Sequence, residues 1–187
     1  MTTIPGLLIS ACHSPTGKLT STMTEESLPA WKATLDAITG ARHGGQVSTI
    51  LDQLKNLDEA HPQVGEINYQ IAWTLDSLER EAEALPYYEK ATSLGLPPNE
   101  QSGALIGLGS TLRNLGHFDR AAEILESGQL QFPSQPEFAA FLALVRHDQG
   151  RHRDALQLTL TTLLETSEDP GITTYQRALR HYAANLT

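Results

Sequence analysis

The sequence is poor in cysteine, in aromatic residues and in positive charge. Its one cysteine in 187 residues, Cys12, leaves no intramolecular disulfide framework and no cysteine-based zinc site, a usage that suits a reducing compartment and predicts a cytoplasmic protein. Phe, Trp and Tyr make up only 6% of the chain, which points to packing by small residues and leucine, as helices use. No stretch approaches the roughly 18 apolar residues of a membrane-spanning helix, so no membrane partner is expected. Lys and Arg number 13 against 22 Asp and Glu, a net charge of −9. That disfavours a nucleic-acid surface, whose affinity comes from clustered bases neutralising phosphates. The four lysines (Lys18, Lys32, Lys55, Lys90) all precede residue 95, whereas seven of the nine arginines follow it. A cationic feature of the second half is therefore built from guanidinium groups, which suit carboxylate or phosphate.

What is present is globular: 40% hydrophobic and 19% charged residues with 14 Gly and 10 Pro exclude collagen-like and wholly disordered chains. The length suffices to bury a core without disulfides or metal. Near the N-terminus, Leu8-Ile9-Ser10-Ala11-Cys12 resembles a lipoprotein cleavage box, but no basic residue precedes it and Pro5-Gly6 breaks the apolar run from Ile4. The Ser-, Thr- and Gly-rich residues that follow make 1–27 a flexible arm ahead of a single domain over 28–187.

From Leu28 the chain alternates helix-length periodic segments with short breaks. Trp31, Leu35, Ile38 and then Val47, Ile50, Leu51, Leu54, Leu57 recur at three and four, the spacing of one helical face. Further helices are predicted at 64–78, 81–94, 100–115, 118–131, 135–149, 152–166 and 170–185. The breaks are Gly40 to Gly45, His61-Pro62, Gly95-Leu96-Pro97-Pro98, Gly116, Phe132-Pro133, Gly150 and Asp169-Pro170. Pro86 lies deeper than the first helical position and is expected to kink or delay its helix. No alternating strand of useful length is found.

Internal repetition organises these segments. Leu115-Gly116-His117-Phe118-Asp119-Arg120-Ala121-Ala122 recurs as Gln149-Gly150-Arg151-His152-Arg153-Asp154-Ala155-Leu156, 34 residues later, and a weaker copy starts at Leu78. These residues resemble the tetratricopeptide repeat (TPR) family, whose unit is a helix-turn-helix of this period. The register supports it: Ala72, Ala84 and Ala91, then Gly109, Ala121 and Gly128, fill the eighth, twentieth and twenty-seventh places, which the family keeps small. Ile71, Leu75 and Tyr88, then Leu108, Leu112 and Leu125, fill its bulky apolar places. The third unit departs from the pattern at Arg146, Thr159 and Thr162. The resemblance implies an all-α, right-handed helical-hairpin solenoid with repeats over 65–98, 102–135 and 136–169. A degenerate capping pair over 28–64 and a C-terminal cap helix over 170–187 complete it, the latter phased by Ile172, Tyr175, Leu179, Tyr182 and Leu186. Within the family, the run from Ala72 to Leu78 and that from Gly107 to Gly116 look like the small stand-alone bacterial TPR proteins of group 5.

Nothing in the sequence assembles a catalytic constellation, and neither enzyme activity nor a cofactor is expected. No histidine pair has the spacing of a zinc helix, and His147 and His152 straddle the Gly150 turn. Cys12 has only His13 beside it, with no fold to hold a base against it. Gly103, Gly107 and Gly109 fall inside a helix without the Lys-Ser/Thr of a phosphate loop; repeat packing accounts for Gly109 but not for Gly107. In the family, the first helix of each pair lines a concave face, which implies a groove containing Tyr69, Trp73, Ser110, Arg113, Asn114 and His147, with Arg177 and Arg180 added by the last helix. Its aromatic half and its arginine half would hold an extended peptide with an acidic end. The expected function is a protein-interaction scaffold that binds a peptide or protein segment there. The alternative is a module that self-associates as a homodimer through its terminal helices.

Overall fold

Repeated turn chemistry divides the chain into hairpins. The computed structural model describes residues 28–41 and 47–186. The arm expected over 1–27, with Cys12 and the lipoprotein-like box, lies outside them, as does most of the Gly40 to Gly45 turn. The described residues form nine helices and no strand: α1 (Ala30–Gly40), α2 (Val47–Ala60), α3 (Gly65–Asp76), α4 (Glu81–Leu94), α5 (Pro98–Asn114), α6 (Phe118–Gln131), α7 (Glu137–Asp148), α8 (His152–Thr166) and α9 (Pro170–Ala184).

The three hairpins α3/α4, α5/α6 and α7/α8 close in the same way. Arg80, His117 and Arg151 donate their backbone N–H to the carbonyls of Leu75, Leu112 and Arg146 at 3.0, 2.8 and 2.8 Å, five residues back. Such a closure needs a left-handed residue just before the donor. Gly116 and Gly150 supply it at φ 80° and 75°, where glycine meets no side-chain penalty. In the first hairpin the same place is held by Glu79 at φ 57°. An exposed glutamate gains nothing there to offset the Cβ clash of that conformation, worth about 1–2 kcal/mol. Glu79→Gly is accordingly expected to raise stability by about 0.5–1 kcal/mol, glycine's extra freedom in the unfolded chain taking back part of the gain. Urea unfolding checks this, and a loss of stability would mean that Glu79 makes a compensating contact.

Within each hairpin the helices approach on small residues. Ala72, Ala84, Ala91 and Ala121 are fully buried. A Cβ on Gly109 would come within 2.6 Å of Leu125. Gly107 has a similar cause that lies outside its own hairpin: the buried ring of Tyr88 from α4 crosses α5 there, and a Cβ would stand 2.5 Å from its Cζ. Hairpins join because α4 packs on α5 and α6 on α7, while α3, α5 and α7 lie side by side. One core results, running from Leu35 and Leu54 through Ile71, Leu75 and Leu112 to Phe138 and Val145.

Pro86 does not delay its helix, because α4 begins at Glu81 and continues through it. The proline and Ala82, whose carbonyl it leaves without a donor, are both exposed, so water can replace the lost bond. Burial of Ala84, Tyr88 and Ala91 holds the helix on both sides of it. The tandem prolines after Gly95 differ in role too: Pro98 starts α5 instead of ending a break, since the first turn requires no N–H from it. The chain is thus an all-α helical-hairpin solenoid.

Candidate functional site

Helices α3, α5 and α7 form one layer, and contacts between residues about one repeat apart tie it together and join α1 to it. Lys32 of α1 donates to Glu66 of α3 at 2.8 Å and lies 3.8 Å from Glu100 of α5 and 3.6 Å from Asp36. The hydrogen bond to Glu66 raises the lysine's pKa. Burial, with the nearby charge of Glu66, pushes the Glu100 carboxyl up. Further along, Thr111 donates to Asp76 Oδ1 at 3.3 Å and Tyr88 to Oδ2 at 3.4 Å. Burial raises the Asp76 carboxyl, and the Thr111 hydrogen bond offsets this in part.

Of the residues assigned to the groove from sequence, Tyr69 and Trp73 both lie on α3. Tyr69 is half-buried with its ring 6.3 Å from that of Tyr88, whereas Trp73 keeps 43% of its surface exposed. Ser110 and Arg113 are half-buried on α5. Arg113 is already engaged: its Nε stands 2.6 Å from Asp148 Oδ2 of α7. Asn114 reaches across to α4 and donates to Glu81 Oε1 at 3.3 Å. His147 is exposed, and its Nδ1 lies 3.1 Å from Nδ1 of His152 across the α7/α8 turn. No group of three or more His, Cys, Asp or Glu that could hold a metal occurs among the described residues.

Arg177 and Arg180 have different surroundings, set by how α9 is seated. Position twenty-nine of the repeat shows that seating: Leu130 of α6 is 84% exposed there, but its counterpart Leu164 on α8 is only 2% exposed, because α9 covers it. Gln176 of α9 donates to the Leu164 carbonyl at 2.8 Å, and Arg180 shares a small pocket with Gln157, Thr161 and Leu164. Arg177 lies on the outer surface of α9 beside Tyr175 and Tyr182. Arg113, paired with Asp148, lines neither of these two pockets.

The opposite face of α8 is left open. At position twenty-four, Leu125 of α6 is completely buried, while Thr159 of α8 is exposed. At position twenty-seven, Gly128 receives the ring of Phe138 from the next hairpin, but Thr162 receives nothing comparable. The result is a groove of about 530 Å³ between α7 and α8, lined by Ala140, Phe141, Leu144 and His147 on one side and by Leu156 and Thr159 on the other. Leu144 and Leu156 are each nearly half exposed. The family register puts Ala140, Leu144 and His147 on the concave face, whereas the α8 wall with Leu156 and Thr159 is not foreseen from sequence. The signal was present, since Thr159 and Thr162 stand where the repeat wants packing residues.

Among the described residues no helix is long and apolar enough to cross a membrane. Comparison with curated proteins finds no match. Solved structures do align with the fold. YrrB, described as a TPR protein with an unusual peptide-binding site, is 20% identical at a TM-score of 0.64, covering 84% of this chain and 75% of its own. MamA (41-end) from Desulfovibrio magneticus RS-1 is 16% identical at 0.63, covering 83% and 89%. PilF from Pseudomonas aeruginosa is 15% identical at 0.62, covering 83% and 69%. At such identities the likeness speaks for the fold alone. The sequence itself matches the family described as Tetratrico peptide repeat over residues 65–186, the span of α3 to α9 with its three identically closed hairpins, and the chain belongs to that family.

Proposed function

We propose that this chain is a non-catalytic scaffold whose layer of first helices holds a segment of another protein, with the α7/α8 groove as the principal seat. Repeat proteins of this family serve as interaction scaffolds in general. The observation that carries the finer reading is the open apolar groove, with Leu144 and Leu156 exposed where the preceding hairpin is covered. Apolar concavities of this size are uncommon on a surface with no ligand to cover them. The repeats over 65–98, 102–135 and 136–169 form the binding part in this reading, and α1 with α2 the cap.

The occupant is better described as apolar with neutral or basic flanks than as acidic-ended. Arg113 is spent on Asp148, and Lys32 on three carboxylates. A photo-crosslinking side chain placed at Leu144 is expected to yield a specific protein adduct in cell extract. The same group at Leu130, exposed on α6, is expected to yield none. Equal labelling from both positions would overturn the groove as the binding seat.

A further inference from the structure

Two unpartnered apolar surfaces lie at the same end of the solenoid. One is the α7/α8 groove, continued along α8 by Leu163, two helical turns from Leu156 and 41% exposed. The other is the outer face of α9, where Tyr175 and Tyr182 are 66% and 64% exposed, again two turns apart with Ala178 between them. Each surface is therefore a helical stripe with the same repeat along its axis, about 10 Å at 1.5 Å per residue. Bulky aromatics are what a groove lined by alanine and threonine has room for.

Charge agrees with shape. From Pro170 onward the chain carries Arg177, Arg180 and His181 and no carboxylate side chain, within a molecule of net charge −9. Because α7 and α8 run antiparallel, the start of α7 meets the end of α8, and Glu137, which shares the α7 face of Ala140 and Leu144, stands at that end of the groove. It is exposed and takes part in no ion pair among the described residues. The free face of α9, an aromatic stripe carrying Arg177 and His181, thus complements an apolar groove with an acidic end.

Resting on the reading of the groove as a docking site, we propose that its occupant is α9 of a second copy of this chain. The same chain's α9 cannot serve, since it is seated on the far side of α8 through Gln176, Ala183 and Leu164. On α8, Ala155, Thr159 and Thr162 point one way, and Gln157, Thr161 and Leu164 point nearly the opposite way at 100° per residue. The groove and the free face of α9 consequently look in opposite directions. A closed two-fold pair would need both surfaces turned to the same partner, so the contact is head-to-tail and leaves a groove at one end and an α9 at the other. Tyr175, Tyr182, Leu144, Leu156 and Leu163 together expose roughly 500 Å². With their neighbours the contact comes to about 1,000 Å², the size of reversible interfaces, so association should depend on concentration.

Sedimentation of the full chain from micromolar to millimolar concentration tests this. The expected result is an average mass that climbs past two chains. Tyr175→Asp with Tyr182→Asp removes the knob, and Leu156→Asp spoils the groove; all three sites are exposed, and dichroism verifies that the variants fold. Each variant alone should stay at the mass of one chain. Mixed, they retain one good knob and one good groove between them, and should form a pair that grows no further. A wild type that stays monomeric overturns the proposal but leaves the groove reading intact if Leu144 still crosslinks a different protein. A dimer that stops at two chains in the wild type, or single variants that still associate, also overturns it, as does association that appears only when residues 1–27 are removed.

Discussion

Phe138→Ala is expected to cost about 3–5 kcal/mol, the usual range for deleting a buried aromatic ring. The ring is completely buried, stacks on Phe132 with centroids 6.0 Å apart, and fills the space that Gly128 leaves open on α6. It is the residue by which α7 holds the preceding hairpin, so the loss combines the transfer of the ring with a cavity that two helix backbones cannot readily close. Since α7 also forms one wall of the groove, crosslinking from Leu144 should fall with stability. Urea denaturation measures the effect, and Leu130→Ala, at an exposed site on α6, provides the control with a change within about 0.5 kcal/mol. Equal behaviour of the two variants would mean that α7 is held by something other than Phe138.

Ala121→Leu tests the closest approach inside a hairpin. Ala121 is fully buried on α6 beside Leu125, which itself rests against Gly109 of α5. Three added carbons have no void to enter, and the helices must separate or a side chain must leave its rotamer, at about 1–3 kcal/mol or more. The melting temperature should fall clearly. Ala82→Leu, exposed on α4, adds the same atoms to solvent and should leave it nearly unchanged. An unaltered melt for Ala121→Leu would reject the repeat register.

The helices and the repeat register were legible because each repeat carries its own local instructions. Gly116 and Gly150 mark turns that only a left-handed residue can make, and Ala84 and Ala121 mark the close approaches that follow. The site was less legible because its geometry depends on which face of a helix finds a partner. For α9, the spacing of Ile172, Tyr175, Leu179 and Tyr182 suggested one buried stripe, but Ile172, Gln176, Leu179 and Ala183 turn inward instead. The shift is a single residue at two places. Tyrosine permits either phase, since its ring is apolar and its hydroxyl tolerates water, whereas Gln176 gains a backbone carbonyl only in the observed one. That rotation sets Arg180 against Gln157 and Thr161 of α8 and leaves Arg177 on the outer surface. The Arg113 pairing with Asp148 was equally hidden: the partners are 35 residues apart, and only adjacent repeats read side by side place them next to each other.

Among the described residues, every substantial helix contact joins elements one or two steps apart in sequence. Mechanically, that makes the molecule a row of springs in series. A pull on its two ends loads every hairpin with nearly the same force, and among the described residues little beyond the Lys32–Glu100 ion pair spans more than two helices to share the burden. The weakest junction yields first, releasing its length while the others stay folded. The contacts toward the two ends, α1/α2 and α2/α3 on one side and α8/α9 on the other, are thinner than those joining α3 to α8, so the row is placed to yield from its ends inward while the central hairpins hold.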